Sequence, residues 1–374
     1  MTARTIIDIH ALQTVPPSNI NRDDTGSPKT AIYGGTRRAR VSSQSWKRAI
    51  RTAFGDLIAE ENLGIRTKKV VELVAAQITA QDNSLADRAE GLAESVLTAA
   101  GITVAKPKKA KDGASAETGY LLFLSRHQVS NLARLAVESA SSGEAIPKSA
   151  AKSAADQEHS VDLALFGRMV ADAPDLNVDA SAQVAHAISV HPVDNEFDYF
   201  TAVDDKAPED NAGAGMIGTV EFNSSTLYRY ATVNVDELHK GLGEVAATSA
   251  AVAAFVRSFI TSMPTGKQNT FANRTLPEAV VVSIRDKQSV NLAGAFEEAI
   301  VATNAGSRLK EACGRLVEYA KGINHTYSQA PVVTYVLRVG AQTASLDELG
   351  DNLSLDDLVQ RVSSLVAERV QGSE

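Results

Sequence analysis

The sequence predicts an α+β chain whose core runs strand, helix, strand, strand, helix, strand, the βαββαβ plan of ferredoxin-like folds. Three observations predict it. Segments with period-2 apolar alternation or continuous β-branched runs alternate with segments of helical periodicity. An alanine-rich helical stretch of about 100 residues (62–158) follows the first helix, and an acidic, turn-rich stretch (172–225) falls between the second and third core strands. Both read as insertions into one core, and no internal repeat is present.

Each element has its own warrant. Residues 5–12 alternate, with Ile7, Ile9 and Ala11 on one face and Asp8 and His10 on the other, as a short strand does. A loop follows, marked by Pro16, Pro17, Ser18 and Asn19 and then by Asn21, Arg22, Asp23, Asp24, Thr25, Gly26, Ser27 and Pro28. These residue types favour turns and local side-chain to backbone bonds, so Asp23 and Asp24 can serve to buttress the loop. A helix is expected over 43–61, opened by Ser42 or Ser43 as N-cap. It places Trp46, Ala49, Ile50, Ala53, Phe54 and Leu57 on one apolar face. Helices follow at 68–79, 84–99 and 119–140. Between the last two, Lys106, Lys108, Lys109 and Lys111 sit among Gly, Ala, Ser and Pro, the composition of a flexible basic loop. Residues 160–170 read as a buried strand, 226–235 as a strand, 243–262 as an apolar helix and 279–285 as a buried strand. Helices at 290–321 and 354–370 flank a last strand near 331–339.

Composition narrows the class. With 374 residues, 44% hydrophobic and 22% charged, the chain is an ordinary globular protein with ample core. No apolar run approaches the roughly 18 to 20 residues of a transmembrane helix. The N-terminal segment lacks the pattern of a signal peptide. One cysteine, Cys313, excludes an internal disulfide and fits a reducing compartment, so a cytoplasmic location is expected.

The formal net charge is −8, yet residues 29–51 carry seven basic residues and no acidic one: Lys29, Arg37, Arg38, Arg40, Lys47, Arg48 and Arg51. The remainder of the chain therefore sums to −15 (−8 minus +7). Such a concentration is the electrostatic footprint of a phosphate partner, confined to one place. It also fits the solvated basic face of a surface helix. Gln44, Lys47, Arg48 and Arg51 stand at helical spacing as a polar stripe. Cations in a first helical turn oppose the helix dipole, and an anion among them would relieve that conflict.

The stretch NRDDTGSPKTAIYGGTRRARVSSQSWKRAIR closely resembles the CasC family, the backbone subunit of the type I-E CRISPR complex Cascade and a branch of the RAMP superfamily. The agreement continues, in order, through GRM at 167–169, AHAI at 185–188, DYFTAVDD at 198–205 and YRYA at 228–231. The resemblance implies a palm of RNA-recognition (RRM) topology with helical fingers and a thumb. Mapped here, the palm is 1–61, a strand at 159–171, and 226–374; the fingers are 62–158 and the thumb 172–225. It implies no catalysis and no cofactor or metal. The partners it implies are CRISPR RNA, further copies of the same chain in a helical stack, other Cascade subunits, and target DNA paired to the guide.

By position, the resemblance assigns Lys29, Arg38, Ser43, Gln44, Lys47 and Arg51 to the guide backbone, with Arg22 and Arg48 added on charge. It places Met169, after Gly167 and Arg168, against bases, with Arg168 counted among the RNA-binding residues, and Phe200 and Thr201 at a thumb tip that wedges against a displaced nucleotide. Lys106, Lys108, Lys109, Lys111, Lys148 and Lys152 are candidate target-DNA contacts. Thr36 stands where the family can have a lysine.

Two other functions compete. Related type III backbone subunits cut RNA with an aspartate in the loop after the first strand, so Asp23 or Asp24 with magnesium would make an endonuclease. A stand-alone RNA-binding module would show one-to-one binding without assembly. Metal and hydrolase readings are poorer. His186 and His191 miss the i, i+4 zinc spacing, and Cys313 has no CxxC partner.

Overall fold

A computed structural model describes residues 4–107, 114–202, 216–301 and 307–372. The chain divides into two compact units: Met1–Ala53, Val184–Val233 and Val252–Glu374 form the first, and Phe54–Gln183 with Asn234–Ala251 the second.

The first unit is built on a ten-stranded sheet. Its central path runs Asp351–Asn352, Val333–Arg338, Ala279–Arg285, Ile6–Ser18, Met216–Asn234, Ala187–Ser189, Thr36–Val41 and Thr30–Tyr33. The βαββαβ thread is present as Ile6–Ser18, helix Ser43–Phe54, Ala187–Ser189, Met216–Asn234, helix Val245–Thr261 and Ala279–Arg285. Ala279–Arg285 pairs antiparallel with Ile6–Ser18 from Ile6↔Arg285 to Leu12↔Ala279, and antiparallel with Val333–Arg338 on its other side.

Six expectations change. The helix expected over 119–140 starts only at Arg126, after the strand Leu122–Ser125, and the one expected over 290–321 runs Arg308–Thr326. Residues 160–170 are not a strand: Val161–Phe166 is a short helix, and it belongs to the second unit. A continuous apolar run does not distinguish a buried strand from a buried helical turn by periodicity. The second core strand is instead Ala187–Ser189, inside the stretch read as an irregular thumb. That stretch is also more regular than its composition suggests. Glu196–Ala202 pairs antiparallel with the start of Met216–Asn234, in register from Glu196↔Phe222 to Ala202↔Met216. Finally, the first helix stops at Phe54 rather than 61 and leaves Leu57 exposed, while Trp46, Ile50 and Phe54 are buried as expected.

Both faces of the first strand are covered. Asp8 and His10 are as buried as Ile7 and Ile9. Asp8 accepts from Arg285 Nε at 2.8 Å, from Tyr230 Oη at 2.8 Å and from the Val290 amide at 2.9 Å. A buried carboxylate needs such partners, because an unpaired one would carry a desolvation penalty of several kcal/mol. His10 Nδ1 meets Tyr228 Oη at 2.9 Å. Arg229, fully buried, lies between the rings of Trp46 (3.8 Å) and Phe259 (4.5 Å), so its cation is held by aromatic faces and neutral acceptors.

The second unit is helical, with Val70–Gln81, Ala89–Ala99, Arg126–Ser142 and Lys148–Asp156 around an alanine-rich core that includes Ala75, Ala93, Ala133, Ala136 and Ala155. The Arg126–Ser142 helix starts at a full capping box between Ser125 and Gln128 and ends at Gly143 in the left-handed conformation.

Candidate nucleic-acid interface

The basic stretch folds as a hairpin followed by a helix. Thr30–Tyr33 and Thr36–Val41 pair antiparallel with only Gly34 and Gly35 between them, both at positive φ (55° and 74°). That is the geometry of a two-residue type I′ turn. Gly34 has a second reason to lack a side chain: a Cβ there would stand 1.6 Å from the Glu297 carbonyl oxygen. The tight turn sets the register of the strand that carries Arg37, Arg38 and Arg40.

Ser42 caps the helix that follows, accepting from the Ser45 amide at 3.4 Å, and its own amide is held by Asn21 Oδ1 at 2.8 Å. The helix has no acidic residue in its first turn. Gln44 and Arg48 are exposed, while Ser43, Lys47 and Arg51 are half-buried. Burial lowers the Lys47 ammonium below its ordinary range. Arg22 is exposed on the preceding loop and Lys29 is half-buried at the foot of the hairpin. Arg40 lies nearby, donating from Nε to Thr30 O at 3.1 Å and meeting His186 Nδ1 at 3.2 Å. His186 is lowered below its ordinary value by burial first, and then by the charges of Arg40 and Lys29. The Arg40 and Lys29 charges thus act on one imidazole, after burial. His186 was not singled out from sequence as a site residue; it entered only through the AHAI match and a failed zinc pair.

Two arginines assigned to the guide are internal. Arg38 is fully buried. Its Nε donates to Thr36 Oγ1 at 2.8 Å, Nη1 to Ser189 O at 2.9 Å, and Nη2 to Phe296 O and Glu297 O at 3.0 and 3.1 Å. Its donors point inward at backbone carbonyls, which makes it a strut between distant segments rather than a phosphate contact. Arg168, in the second unit, is likewise buried. It donates to Leu176 O (2.7 Å), Ala155 O (2.9 Å), Gln128 Oε1 (3.2 Å) and Asp156 Oδ1 (2.8 Å). Gly167 before it is needed, since its φ is +74° and a Cβ would stand 2.7 Å from Val178 O. Met169 is the outward member of the trio, 81% exposed.

On the hairpin of Glu196–Ala202, strand alternation separates the aromatic residues. Phe197 and Tyr199 share a face with Thr201 and are 67% and 63% exposed. Phe200 points the other way and lies across Gly218, where an added Cβ would be 2.4 Å from its ring. The sequence assigned Phe200 and Thr201 to nucleotide contact; Thr201 is exposed, and Phe200 covers backbone. Phe197 and Tyr199 present more open ring surface, and the period-2 pattern of EFDYFTA was the signal that could have separated them.

Among the lysines, Lys108, Lys109 and Lys111 lie outside the described residues. Lys106 is exposed, Lys148 is exposed at the start of its helix, and Lys152 pairs with Asp175 at 2.6 Å. Asp23 is occupied within its loop: Oδ1 accepts from Thr25 Oγ1 (2.7 Å), the Thr25 amide (2.9 Å) and the Ser27 amide (3.0 Å). These bonds, that from the Thr25 hydroxyl foremost, hold its carboxyl below the usual carboxylate range. Among the described residues no group of three or more His, Cys, Asp or Glu is placed to hold a metal ion, and no helix is long and apolar enough to cross a membrane.

The comparisons with known proteins follow this geometry. No curated protein matches the chain. A solved chain of a "CRISPR RNA-guided surveillance complex, pre-nicking" is similar at 34% identity, with 96% of this chain and 100% of that one covered and a TM-score of 0.85. A chain of a second "CRISPR RNA-guided surveillance complex" is similar at 30% identity, covering 95% and 99%, with a TM-score of 0.70. A family model for CT1975-like protein matches residues 7–361. On the extent of that match, the chain belongs to the CT1975-like protein family.

Proposed function

We propose that this chain is the RNA-gripping backbone subunit of a type I-E Cascade. The observation that carries the reading is the helix beginning at Ser43: a first turn without acids, followed by Gln44, Lys47, Arg48 and Arg51, with Lys29, Arg22 and Arg40 close in sequence or hydrogen-bonded nearby. Free amides at a helix start and cations on its face both favour phosphate. Sugar-phosphate contacts fix position without reading sequence, and sequence is then read by pairing of the guide with target DNA. The similarity to surveillance-complex chains over essentially the whole length supports the same reading.

In this reading several copies load side by side along CRISPR RNA, other Cascade subunits complete the particle, and the spacer is presented to target DNA in segments. The exposed Phe197–Tyr199–Thr201 face and Met169 supply sequence-tolerant apolar contacts to bases, each stack contributing about 1–3 kcal/mol. The subunit does not cut RNA: Asp23 stabilises its loop, and the complex with complementary RNA and magnesium is expected to show no cleavage that Asp23→Ala abolishes.

The test is the triple variant Lys47→Ala/Arg48→Ala/Arg51→Ala, with folding verified by thermal melting. Loading on single-stranded RNA is expected to weaken about equally on every sequence. The slope of log affinity against log salt should fall by about 2, at roughly 0.7 per lost contact. Unchanged loading by a folded triple variant ends the proposal.

A further inference from the structure

Four arginines are buried among the described residues: Arg38, Arg168, Arg229 and Arg285. Three of them have a carboxylate at hand. Arg285 pairs with Asp8 at 2.8 Å, Arg168 pairs with Asp156 at 2.8 Å, and the Glu297 charge acts on Arg38. Arg229 is the exception. Its Nη1 donates to Gln13 Oε1 at 2.6 Å and its Nη2 to Phe259 O, both neutral acceptors. Its Nε has no partner, and no carboxylate pairs with it among the described residues. Burial alone lowers its pKa, to about 9, so the guanidinium is charged at neutral pH. A buried charge is ordinarily paired, because its desolvation is otherwise uncompensated. The rings of Trp46 and Phe259 cover the guanidinium but supply no opposite charge.

The place of Arg229 in the fold points to where that charge is answered. Trp46, whose ring centroid lies 3.8 Å from Arg229 Cζ, belongs to the helix Ser43–Phe54. Trp46 and Ile50 face inward on that helix, while Gln44 and Arg48 face outward. Arg229 therefore lies about one helix thickness, roughly 10–12 Å, beneath the surface on which the basic stripe stands. The layer between is packed side chain and helix, and charges acting across such a layer are only weakly screened by salt.

We infer that Arg229 is a positioning residue of the guide site: it does not touch RNA, and its buried charge acts through the helix Ser43–Phe54 on a phosphate held at the outer face of that helix. The inference rests on the guide-binding reading above. It adds a residue from the core of the sheet, outside the basic stretch.

The test reads binding and stability separately in the full chain. Arg229→Met removes the charge and keeps much of the stem; Arg229→Lys keeps the charge and loses the stacked plane. Coulomb attraction over roughly 10–12 Å, at an effective dielectric of about 20 to 40, corresponds to a factor of about three to ten in affinity. On a labelled mixed-sequence single-stranded RNA, Arg229→Met should bind weaker by that factor, and Arg229→Lys should restore the affinity. The line of log affinity against log salt for Arg229→Met should lie below that of wild type and parallel to it, since no contacted phosphate is lost. Trp46 is the only tryptophan, so its emission shows in each variant whether the helix keeps its seat. Should Arg229→Met fold poorly, Arg229→Gln supplies the neutral side chain for the same comparison with Arg229→Lys. A folded neutral variant with wild-type affinity shows a purely structural arginine and overturns the inference. Equal weakening in the lysine and neutral variants overturns it as well, and so does a slope lowered by about 0.7, the mark of a direct contact. If the Lys47/Arg48/Arg51 variant still loses RNA in that case, only the buried charge fails; if that variant also binds normally, the guide-binding reading itself fails.

Discussion

Replacing Arg38 by methionine separates a structural arginine from an RNA contact in the densest basic run of the chain. The native guanidinium makes four hydrogen bonds, three of them to the carbonyls of Ser189, Phe296 and Glu297. Methionine matches much of the side-chain length and makes none of them, so three inward-facing carbonyls lose a charged donor. Each loss is worth at least about 1 kcal/mol net, more where the acceptor stays dry, which puts the total near 4 kcal/mol. For a domain of this size that is a drop in Tm of roughly 8 °C, at about 2 °C per kcal/mol. The assay is thermal unfolding alongside RNA binding measured well below the transition. Arg38→Met should melt early, and its remaining folded fraction should bind RNA with the wild-type salt slope. A variant that melts within a degree of wild type but loses salt-dependent affinity would refute the burial argument and return Arg38 to the RNA-facing set.

Two pH predictions follow from buried or crowded histidines. His10 is pushed down to about 3 by burial, with the Arg285 charge adding to it, in a pocket that also holds Tyr228, Tyr230 and Asp8. Its folded value lies below the ordinary 6.5, so stability is complete above pH 6.5 and falls as pH drops towards 3. The contribution is about 1.4 kcal/mol per pH unit, and His10→Gln should flatten that part of the Tm-against-pH curve. His186 is depressed by burial, Arg40 and Lys29, and a bound phosphate would oppose the effect of those two charges. RNA binding should therefore take up a proton and tighten as the pH is lowered from neutral, and His186→Gln should remove the effect; a pH-independent affinity in the wild type would contradict it.

What could be read from the sequence follows from how far apart the determining residues lie. The helix at Ser43 and the burial of Trp46, Ile50 and Phe54 depend on neighbours within a few turns and appear as expected, although the helix ends at Phe54 and leaves Leu57 exposed. Arg37, Arg38 and Arg40 look alike in sequence, yet which one goes inside depends on carbonyls at 296 and 297, more than 250 residues on. Arg168 shows the same limit on a smaller scale, since its four acceptors come from three separate segments. The run SVDLALFGRMV carries enough apolar residues for either a strand or a helix, and tertiary packing decides. The acidic stretch hid Ala187–Ser189 and the Glu196–Ala202 pairing because its acids and turn residues gave no clean alternation outside EFDYFTA.

The strand Met216–Asn234 runs 19 residues without interruption, which at about 3.3 Å per residue is some 60 Å of extended backbone. One stretch of it is central to the sheet, and its opening residues carry the aromatic hairpin. No loop separates the two roles. Whatever engages Phe197 or Tyr199 therefore acts on a strand paired to one end of the same continuous segment whose other end lies in the sheet beside Ile6–Ser18.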